Sequence, residues 1–175
     1  MKYKMKMLLV EDNPADVYLL KDMLQDHSSV QFNIHDTHYL KNAIQLLESE
    51  NYDVVLLDLG LPDSEGLDSL HILIEKFPHQ AIVVMTGLND EQTGLTALRH
   101  GAEDYLVKGQ VSLELLSRAL IYSFERKQEK NKKEDMNKIF KAIRRIDHII
   151  LEEKQIDVLL NKICKSLTES GACQY

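Results

Sequence analysis

Tyr52-Asp53-Val54-Val55-Leu56-Leu57-Asp58-Leu59-Gly60-Leu61-Pro62-Asp63-Ser64-Glu65-Gly66 is the stretch whose reading decides the fold. Val54 to Leu57 are four consecutive large apolar residues, with Gly60 and Pro62 close behind. A short Val/Leu run bounded in this way reads as a strand buried on both faces, as in the middle of a parallel sheet. Asp58 ends the run. A carboxylate at the C-terminal end of a central parallel strand stands where open α/β sheets place their ligands. Taken alone, Asp58 reads equally well as a strand stop and as a functional group. The flanking elements decide between the two.

Upstream, Met7-Leu8-Leu9-Val10 reads as a first buried strand, ended by Glu11 and Asp12. Asn13 suits a helix cap and Pro14 a first helical turn. Val17, Leu20 and Leu24 follow at helical spacing. Val30, Phe32 and Ile34 alternate with polar residues, the pattern of an edge strand with one wetter face. Leu40, Ala43, Ile44 and Leu47 then mark an amphipathic helix. Downstream, Leu67, Leu70 and Ile74 mark a third helix ending near Phe77-Pro78. Ala81 to Met85 read as a fourth buried strand, ended by Thr86-Gly87. Asn89 or Asp90 can open a fourth helix, and Gly101 can stop it. Tyr105-Leu106-Val107 form a short fifth strand before Lys108-Gly109. Ser112 suits the cap of a fifth helix with Leu113, Leu116, Leu120 and Phe124 on one face.

The order is strand then helix, five times. Crossovers between parallel strands are right-handed, so all strand C-termini share one edge. Glu11, Asp12, Asp58, Thr86 and Lys108 fall at that edge. Three carboxylates, a hydroxyl and an ammonium from four strands make a site. Two carboxylates ~5 Å apart repel by about 3 kcal/mol at an effective dielectric near 20. A hard divalent cation relieves that repulsion, and oxygen ligands with room for water suit Mg²⁺. Three negative charges against two from the metal and one from Lys108 leave a nearly neutral site that can accept a phosphoryl group.

Composition narrows the classes further. The 175 residues suffice for one common domain plus an extra segment, and 44% are hydrophobic. A net charge of -7 argues against a general nucleic-acid binder. No apolar run approaches the ~18 residues of a membrane span, and the apolar stretch after the basic N-terminus is too short for a signal peptide. Cys164 and Cys173 are the only cysteines, which is no disulfide framework and suits a reducing, cytoplasmic location.

From Glu125 to Lys138 ten of fourteen residues are charged, six positive and four negative, as in a solvated helix or linker. Met136, Ile139, Ile143, Ile146 and Ile150 then step by 3, 4, 3 and 4, a heptad seam of about two repeats. Ile156, Leu159, Leu160, Ile163 and Leu167 continue a helical face after a phase break near Glu152-Glu153. This predicts two helical stretches, and the seam with helix 5 suits a parallel homodimer.

Four of these pieces together carry a family resemblance. Leu9-Val10-Glu11-Asp12, Leu57-Asp58 through Gly66, Val84-Met85-Thr86-Gly87 and Gly101-Ala102-Glu103-Asp104-Tyr105-Leu106-Val107-Lys108 make residues 6 to 127 resemble the receiver domain of two-component response regulators. The resemblance implies a doubly wound α/β fold, a flavodoxin-like five-stranded parallel sheet in order 2-1-3-4-5, here with a C-terminal helical extension. It implies a receiver over 1–127 and a helical linker over 128–175. Asp58 would be the phosphoacceptor, attacking a phosphohistidine or small phosphodonor. Asp12, Asp58 and the backbone carbonyl of Gly60 would bind Mg²⁺ or Mn²⁺ directly, and Glu11 would hold a metal-bound water. Lys108 and Thr86 would each take a phosphoryl oxygen, and Tyr105 would move inward as the switch aromatic, changing the helix 4–strand 5–helix 5 face. The partner would be a sensor histidine kinase or a phosphotransfer protein, and the only catalysis the chain's own phosphorylation and dephosphorylation.

Three departures from the family pattern stand out. Gly109 replaces the usual proline after Lys108, which leaves the isomer of that commonly cis peptide open. Glu11 stands where aspartate is more usual. Gly60 and Leu88 flank the phosphate position, and the small Gly60 leaves room for a hydrolytic water, so an unusually long-lived acyl phosphate is not expected. Residues 143–171 are similar to the opening of a GAF sensory domain, which suggests the N-terminal part of a sensor histidine kinase or cyclic-dinucleotide protein. His148 lacks the Glu-Leu-Arg that usually follows a phosphotransfer histidine. A flavodoxin-like FMN or nucleotide module would need a phosphate-cradling loop after strand 1, where Glu11-Asp12-Asn13-Pro14 is anionic. An aspartyl phosphohydrolase would place its nucleophile after the first strand, not the third.

Overall fold

The computed structural model describes residues 3–25, 30–87 and 91–169. The chain divides into two compact units, Met1–Asn131 and Lys132–Tyr175. The first contains β1 (Tyr3–Val10), α1 (Pro14–Gln25), β2 (Val30–Thr37), α2 (Leu40–Ser49), β3 (Val54–Asp58), α3 (Asp68–Lys76), β4 (Ala81–Thr86), α4 (Glu91–Arg99), β5 (Asp104–Val107) and the start of α5 (Leu113–Glu169). The five strands form one sheet in the order β2-β1-β3-β4-β5, and every pairing is parallel.

The unbroken apolar run of β3 follows from its central place. Val54 and Leu56 join the core with Met5, Met7 and Leu9 of β1, Leu20 and Leu24 of α1, and Leu116 and Leu120 of α5. Val55 and Leu57 join the opposite core with Ala43 of α2, Leu70 and Leu73 of α3, and Ala97 of α4. Both faces are therefore covered, and all five residues of β3 are buried. β2, at the edge, alternates buried and wetter positions as its sequence pattern implies.

β1 begins at Tyr3, four residues earlier than the apolar run suggests. Its register with β2 runs unbroken from Tyr3↔Val30 to Val10↔Thr37, and ladder hydrogen bonding carries the strand through Lys4 and Lys6. Lys6 tolerates the strand because its ammonium pairs with Glu50 at 2.6 Å and lies over the Tyr52 ring at 4.7 Å. β5 likewise starts one residue early, at Asp104. In α3 Leu70 is fully buried as expected, and so is Leu73, while Ile74 is only half-buried. Gly101 follows α4 with φ 106°, the left-handed stop expected of it. Asn89 and Asp90, expected to open α4, lie outside the described residues.

α5 corrects the expectation of two helical stretches. It is one helix of 57 residues from Leu113 to Glu169. The shift of apolar phase near Glu152-Glu153 is not a backbone breaker: no Gly or Pro occurs between Leu113 and Glu169, so nothing interrupts the hydrogen-bond ladder. Ser112 caps its start, accepting from the Leu115 amide at 3.2 Å. Within the first unit the helix is fastened at two further points. The Glu103 carboxylate, 3% exposed, takes both hydrogen bonds of Lys130 at 2.9 Å. Arg126 donates to the Glu103 carbonyl at 2.7 Å, and Asn131 donates to the His79 carbonyl at 2.9 Å.

In the second unit α5 carries an uncovered apolar stripe. Met136, Ile139, Phe140, Ile143, Ile146 and Ile149 are each 47–57% exposed. No helix among the described residues is long and apolar enough to cross a membrane.

Candidate functional site

The site stands at the C-terminal edge of the sheet. Glu11 directly follows β1, and its amide donates to Thr37 O at 3.0 Å, extending the β1–β2 ladder by one residue. That fixes its side chain inside the fold, at 0% exposure. One carboxylate oxygen accepts the Asn13 amide at 3.1 Å. Asn13 in turn caps α1, its Oδ1 accepting from Ala15 at 3.0 Å. Asp12, between them, is exposed. Asp58 is the last residue of β3 and is 6% exposed. Glu11, Asp12 and Asp58 each offer a carboxylate oxygen, and these lie within 4.8 Å of one another.

Lys108 reaches this cluster from the end of β5. Its Nζ stands 2.7 Å from Glu11 Oε2, 3.0 Å from Asp58 Oδ1 and 3.2 Å from Asp16 Oδ2. Burial alone would lower the Lys108 pKa, but its hydrogen bonds to Glu11 and Asp58 outweigh that and hold the ammonium above the ordinary lysine range. Glu11 goes the other way from most paired carboxylates. Burial pushes its carboxyl up, more than Lys108 and the Asn13 amide pull it down.

Gly60 lies beside Asp58, and its amide donates to Asp58 Oδ2 at 3.2 Å. A Cβ at position 60 would stand 3.1 Å from that same oxygen, so the absent side chain permits the close approach. Thr86 ends β4 and is 2% exposed. Its carbonyl accepts the Lys108 amide at 2.8 Å, which locks the ends of β4 and β5 together. Its hydroxyl is buried with no hydrogen-bond partner among the described residues. Asp58, Gly60, Thr86, Thr93 and Lys108 line one open cavity of about 590 Å³.

Glu11, Asp12, Asp58, Gly60, Thr86 and Lys108 are thus brought together as the sequence suggested. Tyr105 is apart from the cavity: it pairs with Val84 in the sheet, is half-buried, and its ring lies against Gly94 of α4. Leu88 lies outside the described residues. The Lys108–Gly109 peptide is trans, and Gly109 has φ 82°. Proline, fixed near φ -65°, cannot take that backbone, which accounts for glycine here.

One residue of the site and one helix cap escaped the sequence reading. Asp16, on the first turn of α1, is the third partner of Lys108, and its place at the same sheet edge was the available signal. Asp63 accepts from the Leu40 and Lys41 amides at 2.9 and 3.1 Å, capping α2 from the loop after β3. It lies more than twenty positions from the helix it caps, and no local pattern announces that.

The comparisons with known proteins agree with this geometry. The family model described as "Response regulator receiver domain" matches residues 7–120. The cell cycle transcriptional regulator CtrA of Caulobacter vibrioides is 31% identical over 114 residues, covering 65% of this chain and 48% of that protein. The regulatory protein LuxO of Vibrio cholerae is 37% identical over 100 residues, covering 57% of this chain and 21% of its own length. This chain therefore matches half or less of the length of these curated relatives. A receiver domain crystal structure from Clostridium thermocellum superposes with a TM-score of 0.63 at 25% identity, covering 71% of this chain and 97% of that one. With the sheet order, the acidic edge and the family match in agreement, the chain belongs to the response regulator receiver domain family.

Proposed function

We propose that Asp58 accepts a phosphoryl group and that the chain works as a phosphorylation-driven switch in two-component signalling. The observation that carries this is the Thr86 hydroxyl, buried and without a partner among the described residues, on the wall of the cavity that Asp58 and Lys108 also line. A buried polar atom without a partner calls for an explanation. A phosphoryl group on Asp58 would supply it, with one oxygen for Thr86 and another for Lys108.

In the transfer, an Asp58 carboxylate oxygen forms the new O–P bond and the donor's N–P bond breaks, releasing a histidine imidazole. Lys108 stays charged and neutralises a phosphoryl oxygen. Glu11 and Asp16 keep the ammonium aimed at Asp58 before the donor arrives. Catalysis of this kind is positioning and charge stabilisation rather than covalent chemistry by other groups. The oxygen donors of Glu11, Asp12 and Asp58 fit a hard divalent ion. Asp12, Asp58 and the Gly60 carbonyl would hold Mg²⁺ or Mn²⁺, with Glu11 on a bound water. When bound, the ion would offset the charge of the phosphoryl oxygens. Tyr105 would report the state of Thr86 to the α4–β5–α5 face. The donor would be a sensor histidine kinase or a phosphotransfer protein.

Residues 128–175 would serve as a helical linker, resembling the opening of a GAF domain, and pair two copies in parallel. The half-exposed stripe from Met136 to Ile149 supports the pairing. Light scattering with and without a phosphate analogue tests it; a monomeric mass at high concentration under both conditions refutes it. The receiver reading is tested by intact mass after acetyl phosphate and Mg²⁺. One phosphoryl adduct that needs Mg²⁺ and is lost in Asp58→Asn supports it, and no adduct on folded protein refutes it.

A further inference from the structure

α4 contains a glycine at its centre, Gly94, and it is buried. Glycine inside a helix weakens it, so a glycine there needs a packing reason. The reason is next to it. A Cβ on Gly94 would stand 2.3 Å from Cδ2 of Tyr105, 2.6 Å from Cε2 and 2.7 Å from Cγ. These distances are far inside van der Waals contact. The Cγ contact matters most. Cγ lies at the root of the side chain, so turning the ring about its own axis cannot relieve it. Only a change of χ1, or a shift of α4, would make room.

The neighbours of Gly94 extend the argument. Thr93 lines the cavity that Asp58, Thr86 and Lys108 share. Ala97, three residues on and on the same side of the helix, is 0% exposed. Gly94 and Ala97 therefore give α4 a face of small residues toward the sheet. Tyr105 pairs with Val84, two positions before Thr86 on β4, and Val107 pairs with Thr86 itself. One helix thus meets the phosphoryl cavity at one residue and the tyrosine ring at the next.

We propose that Gly94 is the positioning residue of the switch: its missing side chain forms the slot in which the Tyr105 ring lies, and the slot sets how readily the ring takes the inward place that accompanies phosphorylation. This rests on the switch role given to Tyr105 above. Filling the slot expels the ring and uncouples it from Thr86, with Asp58 and its charged partners untouched.

The test compares wild type, Gly94→Ala, Tyr105→Ala and the double variant. Two readouts are taken: tyrosine ring NMR signals, and the affinity for beryllofluoride with Mg²⁺. The Tyr105 signal is identified by its loss in Tyr105→Ala. Gly94→Ala should move the Tyr105 ring signal in protein without ligand. It should weaken beryllofluoride binding at least about fivefold, the lower end of ordinary coupling between sites. In the Tyr105→Ala background, Gly94→Ala should leave the affinity unchanged, because nothing is left to expel. If Gly94→Ala folds poorly, recovery of folding in the double variant supports the same slot. An unmoved ring signal overturns the inference, and so does an equal loss of affinity in both backgrounds, which would place the effect in the α4 backbone. Failure of wild type to bind beryllofluoride would count against the receiver reading, while the ring signal would still decide for or against the slot.

Discussion

Replacing Lys108 with methionine tests how the acidic edge is held together. Methionine keeps much of the chain length and removes the charge. The ammonium stands 2.7 Å from Glu11, which is 0% exposed, and 3.0 Å from Asp58, which is 9% exposed at its side chain. Breaking a buried ion pair by removing one partner costs roughly 3–5 kcal/mol, because a charge stays buried without compensation. Asp16 is about one-third exposed and adds less than ~1 kcal/mol. The expected loss without metal is therefore about 4 kcal/mol, or roughly 8–16 °C in Tm for a chain of this size. Mg²⁺ should restore much of it in the variant, and should raise the variant's Tm more than that of wild type. The assay is thermal unfolding followed by near-ultraviolet tyrosine dichroism, in chelator and in Mg²⁺. All tyrosines but Tyr175 lie within residues 1–131, so the signal reports the receiver. A Tm in chelator within ~2 °C of wild type, half a kcal/mol or so on the same scale, would refute the argument. So would a large loss that Mg²⁺ does not relieve.

Other consequences follow from separate contacts. Asp63→Ala removes two hydrogen bonds at the start of α2 and should cost about 1–2 kcal/mol in urea unfolding, with Asp63→Asn recovering part of it. Glu103→Gln should destabilise by about 1–3 kcal/mol, whereas Lys130→Ala should cost less than ~1, because Arg126 and Lys127 also face that carboxylate and Lys130 is itself exposed. The hydrogen bond from Lys6 holds the Glu50 carboxyl below its ordinary value of 4.5. A depressed pKa contributes stability that is present above that value and lost as pH falls through the folded one. Glu50→Gln should therefore be less stable than wild type near neutral pH and converge with it in acid; a constant difference across pH would contradict this. Thr86→Ala should leave phosphorylation of Asp58 possible in intact-mass assays but weaken beryllofluoride binding by about 1.5–3 kcal/mol, the value of one hydrogen bond to a charged group.

Much of this molecule was legible in its sequence because parallel sheets write plainly. Val54 to Leu57 had to be apolar throughout, since β3 is covered on both faces, and β2 had to alternate because it is an edge. The edge residues Glu11, Asp12, Asp58, Thr86 and Lys108 followed from the strand ends. What stayed hidden depends on partners distant in sequence. β1 extends back to Tyr3 because β2 pairs with it there, which Lys4 and Lys6 obscure. Asp63 caps a helix from a loop on the far side of β3. The apolar stripe of α5 changes phase near Glu152-Glu153, and phase is a statement about faces, not about the backbone, so the helix runs on. Gly94 gave no signal at all, because its meaning lies in the ring of Tyr105 on another element.

The most direct test of the central claim is the position of the phosphoryl group. Protein treated with acetyl phosphate and Mg²⁺ is reduced with borohydride, which converts an aspartyl phosphate to homoserine, and the peptides are sequenced by mass. Homoserine at position 58, and nowhere else, is the expected result. Reduction at another carboxylate, at Asp12 above all, or no reduction in protein that is folded and metal-loaded, would contradict the account.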